Sequence, residues 1–173
     1  MLPQTQNLYQ QIAFGCMTGT IVKIEPTFIN QNRVNGCMLF FTVEDENGRT
    51  IYFLVSQATY VVDSITLAEG MKCSFYYREN APLQLIEPPQ YKASVIVREQ
   101  NDKQTYVGYF NQSLINTDGT LQIRMDSGTI ILGTNHQIFP ASPANQNLVV
   151  IYQTATKSMP AQIIPNRIIV LCR

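Results

Sequence analysis

A chain of 173 residues makes one ordinary domain or two small ones, and each half is long enough for a modest core of its own. Twelve basic and twelve acidic residues leave a formal net charge of +0, so polyanions such as nucleic acids meet no global field. Charged residues are only 14% of the chain, against about a quarter in an average domain, so self-repulsion is weak and oligomers are favoured.

The stretch Met1–Phe14 has neither a basic n-region nor an unbroken apolar run. Nowhere does the chain approach the roughly 18 apolar residues of a membrane helix. The expectation is no membrane span and a cytoplasmic location by default, with an extracytoplasmic one left open.

Period-two patterning dominates the chain. Leu2–Gly15 reads as a short helix or an extended arm against the first half. Thr20–Glu25 predicts a strand with Val22 and Ile24 inward, and Thr27–Gly36, rich in Asn, predicts a polar loop. Cys37–Glu44 and Arg49–Val55 predict a hairpin around Asp45-Glu46-Asn47-Gly48. Ile51, Phe53 and Val55 then face the core, with Tyr52 and Leu54 on the opposite side. Ser56–Leu67 is the one candidate short helix. Met71–Tyr77 alternates Cys73, Phe75 and Tyr77 as a fourth strand, and a proline-rich loop, Ala81–Pro89, leads to a fifth, Tyr91–Arg98. Five strands with a short helix between the third and fourth is the order of an OB-fold.

The polar run Glu99–Gln104 reads as a junction. Beyond it, Thr105–Ile115, Thr120–Met125, Thr129–Gly133, Leu148–Thr154 and Arg167–Cys172 predict five further strands, with the loop Asn135–Asn147 in place of a helix. The predicted architecture is all-β: two tandem OB-like five-stranded barrels with little helix. Residues 1–98 form the arm and first barrel, and residues 105–173 the second.

A phrase written twice supports the tandem arrangement. Pro82-Leu-Gln-Leu-Ile-Glu-Pro88 and Pro160-Ala-Gln-Ile-Ile-Pro165 each follow a strand-like run ending in tyrosine and precede a β-branched run. Phe75-Tyr76-Tyr77 with Leu85-Ile86-Glu87-Pro88-Pro89-Gln90-Tyr91 resembles the F-Y and P-L-I-Y-P-P-Q-Y segments of small proteins from Gram-positive bacteria. Ser158-Met159-Pro160-Ala161-Gln162 is similar to an S-I-P-A-Q-T-x-P segment in related proteins. The resemblance implies the same tandem OB-like fold, assigns no chemistry, and points toward extracytoplasmic relatives.

No catalytic or metal signature is legible, and no cofactor is implied. His136 is the only histidine and reads as a solvated or capping residue. Glu44-Asp45-Glu46 reads as a solvated turn, and no glycine-rich phosphate loop occurs. The four cysteines, Cys16, Cys37, Cys73 and Cys172, form no C-x-x-C pair and are expected to be free, with Cys37 and Cys73 in the first core and Cys172 on the apolar side of the last strand.

The candidate site is a surface. Met38, Phe40, Tyr52 and Leu54 alternate with predicted core residues and point off the first barrel, with Arg33, Arg49 and Lys23 as nearby cations. The predicted function is a non-enzymatic binding or assembly module, acting by protein–protein association or homo-oligomer formation. The alternative is single-stranded nucleic-acid or oligosaccharide binding by the first barrel, with nucleic acid disfavoured by the low charge.

Overall fold

The computed structural model describes residues 10–79 and 88–173. Its elements are strands, apart from one three-residue 3-10 turn at Val62–Ser64, so the chain is all-β. It divides into two units: Phe14–Glu99, and Gln100–Arg173 together with residues 10–13.

The first unit contains β1 (Phe14–Asn30), β2 (Arg33–Glu44), β3 (Thr50–Ser56), β4 (Tyr60–Val61), β5 (Lys72–Arg78), β6 (Gln90–Lys92) and β7 (Val95–Arg98). They form one sheet in the order β4-β7-β5-β1-β2-β3-β6. Alternation places Phe41 and Val43 of β2, Ile51 and Phe53 of β3, and Cys73 and Phe75 of β5 on one face, where they pack with Ile21 and Ile96. The Phe53 and Phe75 rings stack with centroids 4.5 Å apart. Burial of each such side chain contributes about 1.5–3 kcal/mol.

As hydrogen-bonded ladders the sheets are open, and none closes into a barrel among the described residues. The expected fifth strand is broken at Ala93 and Ser94. On one side of the break β6 runs parallel to β3, and on the other β7 runs antiparallel to β5. At the break itself the Ala93 N–H donates to Leu54 O at 2.9 Å, and the Ser94 N–H to Tyr76 O at 2.7 Å. One segment therefore bonds both β3 and β5.

Three local expectations are corrected. Val22 is 48% exposed, because the β1–β2 register shifts between Ile21 and Lys23 and reverses the parity; Ile21 is the buried residue. Thr27–Gly36 is a hairpin rather than a loop, since β1 continues to Asn30 and β2 starts at Arg33. Ser56–Leu67 is not an α-helix: a tight turn over Ser56–Thr59 feeds the short strand β4, and only the 3-10 turn Val62–Ser64 follows it.

The second unit contains β8 (Gln104–Phe110), β9 (Leu121–Ile123), β10 (Ile130–Gly133), β11 (Gln146–Tyr152), β12 (Ala161–Ile163) and β13 (Arg167–Val170). Phe110, Ile123, Leu148, Val150, Ile168 and Val170 make its core. Its strands form two separate sheets, β10-β13-β11-β8 and β12-β9, with no strand in the place of β2, and four of its strand pairs follow pairs of the first unit. β8 and β11 pair as do β1 and β5; β11 and β13 as β5 and β7; β10 and β13 as β4 and β7; β9 and β12 as β3 and β6. Gly19 opposite Cys73 has its counterpart in Gly108 opposite Leu148.

Single hydrogen bonds follow suit. The Tyr60 N–H donates to Ser94 O and the Ile130 N–H to Asn166 O; the Ser94 N–H donates to Tyr76 O and the Asn166 N–H to Ile151 O. In this scheme Gln90, opposite Tyr52, corresponds to Gln162, opposite Gln122. Pro160–Pro165 therefore answers to Pro88–Ala93, while of the repeated phrase Pro82–Pro88, expected at the equivalent position, only Pro88 is described. Residues 82–87 of that phrase lie outside the described residues.

Residues 10–13 group with the second unit, not with the first half as expected. The cause is Asn147, fully buried, whose Oδ1 accepts the Ile12 N–H at 3.1 Å. Its Nδ2 donates to Gln10 O at 2.8 Å and to Arg173 O at 2.7 Å. One side chain thus ties both of these segments to the sheet.

Candidate functional site

Adjacent strands bring the four predicted patch residues onto one face. Phe40 lies opposite Leu54 in the β2–β3 register, with Met38 and Tyr52 one step along each strand on the same side. The Phe40 and Tyr52 rings meet at 4.8 Å with a 43° tilt, an arrangement worth about 0.5–1.5 kcal/mol beyond area burial. All four side chains are half-buried.

The cations do not gather there. Arg33 sits at the hairpin tip, paired in register with Asn30, and five residues of β2 put it roughly 17 Å from Met38. Arg49 lies at the opposite end of the β2–β3 hairpin, where its Nε bonds Asp45 Oδ2 at 2.9 Å. Lys23 pairs with Glu25 at 2.8 Å. Two of the three positive charges are locally compensated.

The hairpin beyond this face was not anticipated. Its asparagines, which suggest a loop, are what shape it. Asn30 Oδ1 accepts the Asn32 N–H at 3.0 Å and closes a two-residue turn. Asn35 Oδ1 accepts the Cys37 N–H at 3.1 Å, and Thr27 Oγ1 donates to Met38 O at 2.8 Å. Together these hold a bulge over Gly36–Met38, across which the register jumps from Thr27↔Asn35 to Pro26↔Leu39. The bulge also turns Cys37 out to solvent, correcting its expected core position, and Cys172 is likewise exposed, with φ at 53°. Past the bulge, Phe28 and Val34 face each other at 62% and 53% exposure, and Ile29 is 59% exposed. The apolar Phe28, Ile29 and Val34 within an otherwise polar stretch were the available signal.

Arg49 belongs instead to a cleft of about 1030 Å³ in the same unit. Its lining includes the apolar Tyr91, Met17 and Ile51 and the polar Asp45, Arg49 and Lys72. Asp45 Oδ1 accepts the Asn47 and Arg49 N–H groups, both at 2.9 Å, and these bonds hold its carboxyl below the usual carboxylate range. Lys72 Nζ reaches Glu46 Oε1 at 3.2 Å. At the margin the buried Ser74 donates to Glu99 Oε1 and bonds Thr18 Oγ1 at 2.9 Å.

His136 is exposed in a turn with φ at 65°. Among the described residues no group of three or more His, Cys, Asp or Glu could hold a metal ion. None of their helices is long and apolar enough to cross a membrane. All four cysteines are free, and burial pushes the Cys73 thiol up to about 11. The chain matches no protein-family model and no curated protein.

Proposed function

We propose that this chain is a non-enzymatic assembly module built from two OB-like copies, and that it associates with a second copy of itself through the Thr27–Asn35 hairpin. In this reading Gln90–Arg98 is the closing strand of the first copy, interrupted at Ala93 and Ser94. The observation that carries the association is the exposed pair Phe28 and Val34 on a hydrogen-bonded ribbon. Exposed strand edges are normally guarded by charge, yet Arg33 is the one charged residue between Thr27 and Asn35. Apolar clusters on such an element mark contact surfaces. A chain with net charge +0 and few charges repels its own copies weakly, which makes a second copy the natural partner.

Sedimentation velocity across a concentration series tests the reading. The expected result is a weight-average mass that rises above the 19.6 kDa of one chain. A single 19.6 kDa species at every concentration up to about 200 μM would contradict it, because even weak interfaces reach that range.

A further inference from the structure

We propose that the cleft beside Tyr91 binds a neutral oligosaccharide. The cleft, at about 1030 Å³, is large enough for a ligand of several rings. Its lining is of two kinds. Tyr91, whose ring packs on Tyr77 at 4.3 Å and on Phe53 at 5.8 Å, is held rigid beside Pro88 and Pro89 as an apolar wall. The lining also carries carboxylate, amide, guanidinium and hydroxyl groups, several of them on a turn that Asp45 locks with two backbone hydrogen bonds.

The electrostatics choose among ligand classes. Both cations of the cleft are matched to carboxylates, Arg49 to Asp45 and Lys72 to Glu46, so a phosphate or polyanion finds no uncompensated charge. An extended peptide finds no free ladder on this edge of β3, where the Tyr52 N–H already donates to Pro89 O at 3.0 Å. A sugar fits what is left. Its hydroxyls both donate and accept, which suits paired carboxylate and guanidinium groups, and its C–H face packs on an aromatic ring. The site stands apart from the hairpin, so the two proposals fail separately.

The test is a ¹H–¹⁵N titration of the whole chain with chitotriose, cellotriose and maltotriose in turn. Saturable shifts are expected for at least one, centred on the amides of Asn47, Thr50 and Tyr91. Arg49 is 75% exposed, so Arg49→Ala leaves the core intact and should weaken the binding roughly tenfold or more. Phe28→Asp, remote from the cleft in sequence register, should leave it unchanged. No saturable shift with any of the three up to about 10 mM would overturn the proposal, as would binding that Arg49→Ala leaves at full strength.

Discussion

Thr59 and Thr129 make the same hydrogen bond in the two units. Thr59 Oγ1 donates to Ala93 O at 2.7 Å, and Thr129 Oγ1 donates to Pro165 O at 2.8 Å. Each threonine also closes the turn before it: the Thr59 N–H donates to Ser56 O, and the Thr129 N–H to Asp126 O. Within those turns Ser56 Oγ accepts the Ala58 N–H, and Asp126 Oδ1 accepts the Gly128 N–H. The motif fastens the short strand β4 or β10 to the segment that bonds both sides of its unit.

Replacing either threonine by valine keeps the shape and removes the donor. Thr59→Val and Thr129→Val should each cost about 1–2 kcal/mol, since a part-buried carbonyl loses its partner. Urea unfolding measures this. A pair of variants as stable as wild type would show that the bonds are incidental.

Asn147 should be among the least replaceable polar residues. Asn147→Asp keeps the acceptor for Ile12 but sets a carboxylate against the carbonyls of Gln10 and Arg173, which the amide satisfied. It should destabilise by more than Asn147→Ala, itself about 2–3 kcal/mol. Thermal melts of the two variants give the order, and the reverse order would contradict the hydrogen-bond assignment.

Cys73 sets a pH dependence. Burial penalises the thiolate and pushes its thiol up to about 11 in the folded chain, from an ordinary 9.0. The native state therefore holds the proton longer than the unfolded state does. Stability falls as pH rises from about 9 and levels off above about 11. Cys73→Ala should flatten that part of the profile, and an unchanged slope would assign it elsewhere. At pH 8 a thiol reagent should label exposed Cys37 and Cys172 well before Cys73.

Single-stranded DNA or RNA should bind weakly or not at all at physiological salt. Twelve cations are balanced by twelve anions, and Lys23, Arg49 and Lys72 are already paired with carboxylates. Fluorescence anisotropy with a labelled oligonucleotide checks this. A micromolar complex lost in Phe40→Ala or Tyr52→Ala would move the function to the β2–β3 face.

Period-two alternation was enough to place Phe53, Phe75 and Cys73 inside and Phe40 with Tyr52 on the other face, because those strands pair without interruption. It failed where the ladder is irregular. The shift between Ile21 and Lys23 moves Val22 outward, and the Gly36–Met38 bulge exposes Cys37. Asparagine misled for a physical reason: Asn30 and Asn35 stabilise a turn and a bulge within a hairpin, and the same chemistry stabilises open loops. The cleft was not legible at all. Tyr91, Asp45 and Lys72 meet through strand order, which no local pattern encodes.

Multi-angle light scattering of the Phe28→Asp, Val34→Asp double variant beside wild type tests the central claim most directly. Both residues are more than half exposed, so the substitutions place charge on the contact without disturbing the core. The account predicts a wild-type mass above 19.6 kDa at high concentration and a variant that elutes as a folded 19.6 kDa monomer. Equal masses for the two proteins would contradict it.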